Sequence, residues 1–215
     1  MRHEPYSIKA HAALAAIGFI PIACLCLALF GWFPLEQSTR LVVLPAMTLA
    51  LLLCLHYPAL RRLVLQGMVV GMLATAVYDS VRLTFVVAGA WNDFIPAIGR
   101  LALGDVRGSA FWGYLWRYLG DGGAMGVTFA LLPWRGLRAG LIFGALICGC
   151  LFATLLLAPG AQQVLFRLSP ITAGAALVGH LIYGGVLGWR LPPWVAVPQL
   201  ERPYWRVIAR PMLRR

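Results

Sequence analysis

Long apolar stretches, separated by short segments that carry arginines, restrict most strongly what this chain can fold into. Each stretch approaches or exceeds the ~20 residues that a helix needs to cross the hydrocarbon core of a bilayer. The apolar residues run continuously and do not alternate along the chain, which favours helices over the strands of a membrane barrel. The pattern therefore predicts an all-α integral membrane protein.

The composition supports this prediction and argues against other classes of protein. Hydrophobic residues make up 61% of the 215 residues and charged residues only 12%, whereas an ordinary soluble domain has about 25% charged residues. The net charge of +11 does not indicate nucleic-acid binding. The arginines lie between and after the apolar stretches, where membrane proteins place residues that face the cytoplasm.

Six membrane-spanning helices can be delimited along the chain. The predicted spans cover about residues 12–33, 41–56, 65–90, 111–132, 137–158 and 170–189. The one long connection is 91–110, and we expect its apolar segment 94–101 to form a short helix in the membrane interface. Residues 1–190 are thus predicted to form a single six-helix transmembrane domain, followed by a basic cytoplasmic tail over residues 191–215.

The distribution of Lys and Arg predicts the orientation of this bundle. With the N-terminus inside, 12 of these residues lie on the inner side and only Arg40, Arg100, Arg107 and Arg167 lie on the outer side. This asymmetry follows the positive-inside rule and places both termini in the cytoplasm. The almost exclusive use of arginine over lysine suggests a GC-rich bacterial genome, so we expect a multi-pass protein of the bacterial inner membrane.

The tail combines aromatic rings with cations, a mixture that suits the headgroup layer of a membrane. The residues that we expect to anchor it there are Trp194, Arg202, Trp205, Arg206 and Arg210. Each arginine near an anionic membrane surface adds about 1 kcal/mol of attraction. The predicted partners are therefore the lipid bilayer and its anionic headgroups, with docking of the tail onto a partner protein as the alternative.

Five ionisable residues lie inside the predicted spans, although a charge near the bilayer centre costs at least ~2.5 kcal/mol. They are Asp79 and Arg82 in the third span, Arg117 and Asp121 in the fourth, and His180 in the sixth. Positions within the spans place both aspartates and the histidine at one depth, and both arginines one turn, ~5 Å, further out. Each aspartate has an arginine on the same helix face, and pairing across spans is also open. We therefore expect a single polar layer.

Three hydroxyl residues extend the predicted polar layer. Tyr78 precedes Asp79, Thr75 lies one turn inward of it, and Tyr183 lies one turn inward of His180. Each hydroxyl can donate a hydrogen bond to a carboxylate or an imidazole. We also expect the histidine ring to lie within hydrogen-bond reach of one of the two aspartates, directly or through one water.

Glycines at four-residue spacing border the same layer. Such spacing permits two helices to approach closely in lipid. The glycines for which we expect helix packing are Gly67, Gly71, Gly140, Gly144, Gly184 and Gly188. Gly122 and Gly123 follow Asp121 directly, which predicts a loosened fourth span that exposes backbone polar groups to a cavity.

The polar layer has three interpretations that the sequence leaves open. Two acids and two arginines balance, so the cluster is either a structural set of buried ion pairs, a path for a solute or protons, or a cofactor site. Haem fits poorly, because no second histidine lies at the depth of His180. The five cysteines lie in apolar stretches as small buried residues, and i, i+2 thiols point apart on a helix. We therefore predict no cofactor and no metal site.

Two stretches of the chain carry a resemblance to other proteins. The segments Gly71–Arg82, GMLATAVYDSVR, and Gly179–Gly184, GHLIYG, resemble small bacterial polytopic membrane proteins of unknown function. The similarity covers spans three to six, about residues 65–190. Because that class has no activity to transfer, the resemblance implies only that these polar residues belong together.

The sequence lacks the common catalytic motifs, including G-x-S-x-G, H-E-x-x-H and the Walker loop, so an enzyme is not favoured. We expect a small transporter or permeation protein whose polar layer contacts a polar solute or relays protons. The alternative is a non-catalytic accessory or assembly subunit of a larger membrane complex. The small size, the short loops and the basic tail fit that alternative, and a homo-oligomer is also open.

Overall fold

The computed structural model describes residues 8–104 and 110–191. Within these residues the chain is 84% helical and contains no strand, which confirms the prediction of an all-α fold. The proposed headgroup anchors Trp194, Arg202, Trp205, Arg206 and Arg210 lie outside the described residues, as does the loop residue Arg107.

Ten α-helices and two π-helical segments make up the described part of the chain. The α-helices are α1 (Ile8–Leu29), α2 (Leu35–Ser38), α3 (Leu44–His56), α4 (Pro58–Val87), α5 (Ile95–Leu103), α6 (Ala110–Leu115), α7 (Ala124–Leu131), α8 (Leu137–Leu157), α9 (Ala161–Val164) and α10 (Pro170–Arg190). The π segment Thr39–Val43 joins α2 to α3, and the π segment Trp116–Gly123 joins α6 to α7. Each of these two stretches is therefore helical without interruption.

Five helical stretches of the described chain are long and apolar enough to cross a membrane. They are Ile8–Leu29, Leu35–His56, Pro58–Val87, Leu137–Leu157 and Pro170–Arg190. The stretch that we predicted as the fourth span is helical from Ala110 to Leu131, but the π segment in its middle divides it into two short α-helices. Large apolar side chains such as Leu51, Val69 and Leu146 are exposed on the outer helix faces, as expected for a membrane protein whose surroundings are lipid.

The helix ends follow local sequence signals. Proline occupies the first turn of α4, α5 and α10, where its missing N–H has no helical partner to lose. A capping box begins α10, because Ser169 Oγ accepts from Thr172 N and Thr172 Oγ1 accepts from Ser169 N. The predicted short helix 94–101 forms as α5, which ends at Leu103 and is capped by Gly104, whose φ of 66° is the left-handed conformation that glycine adopts readily.

Five of these helices form a ring. α4 packs against α7 and the π segment Trp116–Gly123 on one side and against α10 on the other, while α8 packs along α10 and α1 along α7. α1 and α8 complete the ring through side chains, since the Phe19 and Phe143 ring centroids are 6.3 Å apart and Cys26 Sγ lies 3.6 Å from Thr154 Oγ1. α3 packs outside the ring against α1 and α4.

Glycines bring the backbones of neighbouring helices into contact at two places in the ring. In α4, Gly67 faces Gly126 and Gly71 faces Gly122. Between α8 and α10, Gly140 faces Gly184 and Gly144 faces His180. Gly188 of α10 faces Gly136, the residue before α8. A Cβ built on any of the six glycines that the sequence singles out would overlap a backbone atom of the facing segment. These contacts hold α4 against the π segment and α7, and α8 against α10.

Candidate functional site

The charged side chains of α4 and of the π segment Trp116–Gly123 meet in one ion-pair network. Asp79 Oδ1 accepts from Arg82 Nε and from Arg117 Nη2, both at 3.2 Å. Arg117 Nη1 lies 3.9 Å from Asp121 Oδ2, so the carboxylate nearest to this guanidinium belongs to another helix. Asp79 therefore joins the two arginines across the contact between α4 and the π segment.

Asp93 completes this network, although the sequence analysis did not place it in the site. It lies between α4 and α5, and its Oδ1 accepts from Arg82 Nη1 at 3.0 Å and from Ile95 N at 3.3 Å. Arg82 Nη2 also reaches the Tyr114 hydroxyl at 3.5 Å, and the guanidinium lies 5.2 Å from the Phe94 ring centroid. The Arg82 side chain is fully buried and all three of its nitrogens have a partner.

With Asp93 included, the network has three aspartates for two arginines, so their ordinary charged forms sum to −1 within the described residues. Asp121 is the least well paired of the three. Its ion pair with Arg117 is long, at 3.9 Å, and the Trp116 indole N–H is the other group that interacts with its carboxylate. Asp79 Oδ2 has no hydrogen-bond partner, but the other oxygen of that carboxylate accepts from both arginines. The excess acid is therefore best assigned to Asp121.

Two of the predicted hydroxyl residues bond to the backbone and not to a carboxylate. Thr75 Oγ1 donates to Gly71 O at 2.9 Å, one turn back in α4. The Tyr183 hydroxyl donates to Gly122 O at 2.6 Å, so it links α10 to the π segment. Both side chains are buried, and each satisfies its donor without contributing to the ion-pair network.

His180 meets the network through an aromatic ring. Its Nδ1 donates to Ala176 O at 2.7 Å, and a carbonyl can only accept, so Nε2 is the acceptor nitrogen of the neutral ring. The imidazole lies edge-on to Tyr78, with centroids 5.2 Å apart, and the Arg117 guanidinium lies 4.7 Å from the centroid of the same tyrosine. Within the described residues the expected direct hydrogen bond from His180 to an aspartate is not formed.

The π segment Trp116–Gly123 gives Asp121 its position. The sequence predicts that glycines after Asp121 loosen this stretch, and the structure shows a π-helix in place of regular α-helix. Its wider turn changes the direction in which side chains point, and π-helical insertions occur frequently at functional sites. One of its carbonyls, that of Gly122, is stabilised by Tyr183 of α10.

A cavity of about 370 Å³ lies inside the helix ring and reaches these polar residues, a volume within the ~300–1,000 Å³ of small-molecule sites. Its polar lining comes mainly from Tyr78, Arg117, Asp121 and His180. The rest of the wall is mostly apolar and comes largely from α1 and α8. Four lining residues are also among the exposed residues, namely Phe19 and Ala23 on α1 and Leu146 and Cys150 on α8. They place the opening of the cavity between these two helices.

The comparisons with known proteins add no relative to this description. No protein-family model, no curated protein and no solved structure matches the chain. Within residues 8–104 and 110–191, no three His, Cys, Asp or Glu side chains are grouped as metal ligands would be. The interpretation of the site therefore depends on its geometry.

Proposed function

We propose that this protein moves a polar solute or protons across the membrane, and that the cavity with its polar end is the binding site. One observation carries the proposal: Asp121 is 4% exposed, lines the cavity and has its nearest arginine nitrogen, Arg117 Nη1, only at 3.9 Å. A buried carboxylate is normally closely paired with a cation, because a poorly compensated charge in a low-dielectric environment costs free energy. An ionisable group kept in this condition inside a membrane bundle is better explained by binding than by stability.

Within this proposal, the network has a structural part and a working part. Arg82 has all its nitrogens engaged by Asp79, Asp93 and Tyr114, and it does not line the cavity. Its contacts fix α4 to the start of α5. Arg117 and Asp121 line the cavity, and their mutual distance of 3.9 Å leaves room for the carboxylate to exchange a proton or bind a ligand.

The proposal includes six spans with both termini in the cytoplasm of a bacterial inner membrane. The sixth crossing is the helical stretch Ala110–Leu131, whose 22 residues would extend about 30 Å, the thickness of the hydrocarbon core. Exposed tryptophans support the placement, because this residue favours membrane interfaces. Trp32 and Trp112 lie at the outer ends of their helices in this orientation, and Trp134 and Trp189 at the inner ends.

Cysteine accessibility tests the orientation. In a variant without the five native cysteines, Arg100→Cys should react with a membrane-impermeant maleimide from the outside, and Arg61→Cys only after the inner face is opened. Both positions are exposed. Labelling of Arg100→Cys from the cytoplasmic side alone would contradict the orientation.

Proton flux in liposomes tests the functional part. Purified protein would be reconstituted with a trapped pH-sensitive dye, and valinomycin would impose a potassium diffusion potential. We expect the Asp121→Asn variant to lose at least about tenfold in rate, because catalytic or binding groups of this kind act through their charge. Glu36→Gln also removes one acid, from a surface pair with Arg40, and should keep the wild-type rate. Equal rates for wild type, Asp121→Asn and protein-free vesicles would refute a proton path.

The alternative function is an accessory subunit of a larger membrane complex. The contacts of Arg82 fit this alternative, because all its nitrogens find partners within the chain. A network of this kind can stabilise the fold without binding a solute. Gentle detergent extraction followed by native sizing separates the two functions. Recovery only as a monomer or homo-oligomer would count against the accessory subunit.

A further inference from the structure

We infer that the solute bound at this site is an amphipathic cation, whose polar part is one protonated amine or an equivalent positive group and whose remaining part is apolar, and that it enters from the bilayer. The inference rests on the proposed function and names the class of solute that the same cavity binds. Three features of the cavity lead to it: its apolar wall, the charge at its closed end and the place of its opening.

The wall selects a ligand with an apolar body. Apart from its polar end, the cavity is lined mostly by apolar side chains such as Ile22 and Leu25 of α1, Ile147 of α8 and Phe166. A sugar or a hydrated ion would lose hydrogen bonds with water and gain few in return along such a wall. An apolar body gains free energy from burial of its surface there.

The closed end selects a positive group. Three aspartates face two arginines in the network, and the excess negative charge is least compensated at Asp121, which lines the cavity. The Arg117 guanidinium does not reverse this preference, because Asp79 holds it and it lies over Tyr78. Its Nε is unpartnered, so an acceptor beside the cationic group of the ligand would also be bound. His180 offers an acceptor nitrogen to an N–H donor.

The opening lies where a molecule dissolved in the bilayer can reach it. Ala23 on α1 and Cys150 on α8 both line the cavity and are exposed. Both side chains are small, so we place the gap through which the ligand enters between them. Both helices are apolar enough to cross the membrane, which places this gap against lipid.

A pair of probes with opposite charge tests the ligand class. Tetraphenylphosphonium and tetraphenylborate have nearly the same size and shape, so a difference in binding reports the charge preference of the site. Equilibrium dialysis of the full chain in detergent should show saturable binding of the phosphonium, at least tenfold weaker for Asp121→Asn and within twofold of wild type for Glu36→Gln. Borate binding as tight as phosphonium binding would overturn the inference. Equal affinity in wild type and Asp121→Asn, or no saturable phosphonium binding, would overturn it too.

A matched pair of variants tests the route from the bilayer. Ala23→Trp fills the gap between α1 and α8 and should slow the association of tetraphenylphosphonium at least fivefold. Ala16→Trp lies two turns earlier on the same face of α1, is exposed and does not line the cavity, so it should leave the association rate unchanged. Equal rates in the two variants would overturn the lateral route.

The outcomes also separate this inference from the proposed function. Asp121-dependent proton flux without phosphonium binding would leave transport standing and remove the amphipathic cation as ligand. Phosphonium binding that depends on Asp121, without flux of protons or phosphonium in vesicles, would leave the binding site standing and remove transport.

Discussion

Replacing Arg82 by alanine measures how strongly the buried network holds the helices together. The side chain is fully buried and forms ion pairs with Asp79 at 3.2 Å and with Asp93 at 3.0 Å. Removing one partner of a buried ion pair costs about 3–5 kcal/mol, because the other charge is left uncompensated. Asp79 would keep Arg117, and the Asp93 side chain is already 33% exposed. We therefore expect the lower end of this range.

A loss of about 3 kcal/mol corresponds to a thermal midpoint lower by roughly 6–12 °C for a chain of this size. Tryptophan fluorescence during thermal unfolding in detergent would record it. Arg40→Ala is the matched control, because Arg40 is 68% exposed and pairs with Glu36 on the surface, where an ion pair contributes about 0–1 kcal/mol. A midpoint for Arg82→Ala no lower than that of Arg40→Ala would refute the structural part of the network.

Gly184→Ala should lower stability by about 1–3 kcal/mol, because its Cβ would overlap Gly140 O between α8 and α10. The Cβ of Gly185→Ala would meet only leucine side chains, at 3.8 Å or more, and this variant should keep the wild-type midpoint. Equal midpoints for Gly184→Ala and Gly185→Ala would contradict the close packing of α8 against α10. Tyr183→Phe removes the 2.6 Å bond to Gly122 O and should lower the free energy of unfolding by about 0.6–1.7 kcal/mol. A midpoint equal to that of wild type would show that this bond is unimportant.

The helices could be predicted from the sequence because an apolar environment leaves few choices to the backbone. Without water to bond exposed N–H and C=O groups, each long apolar stretch has to satisfy them internally as a helix. The stretch predicted over 65–90 accordingly forms as Pro58–Val87 and that over 170–189 as Pro170–Arg190. The π segment Trp116–Gly123 is different, since only the glycines after Asp121 hint at it and its form depends on the helices that it contacts.

The site could be predicted only where its contacts are local. The pairs at i, i+3 and i, i+4 follow from helix geometry alone, whereas Asp93 reaches Arg82 because the chain folds back after α4. The sequence held one indication of a role for Asp93. The chain has only seven acidic residues, and Asp93 follows the predicted intramembrane Arg82 by eleven positions. Thr75 and His180 bond to carbonyls one turn earlier in their own helices, a local choice that competes with the distant partners that we expected.

The most direct test of this account is to measure proton flux and the thermal midpoint of the Asp121→Asn variant in the same preparation. The two values together show whether Asp121 serves function at the expense of stability. The amide keeps the shape of the side chain but removes a charge that is buried and poorly paired. We therefore expect flux to be lost while the midpoint stays equal to that of wild type or rises. Retained flux together with a lowered midpoint would contradict this assignment and would place Asp121 with Arg82 in the structural part of the network.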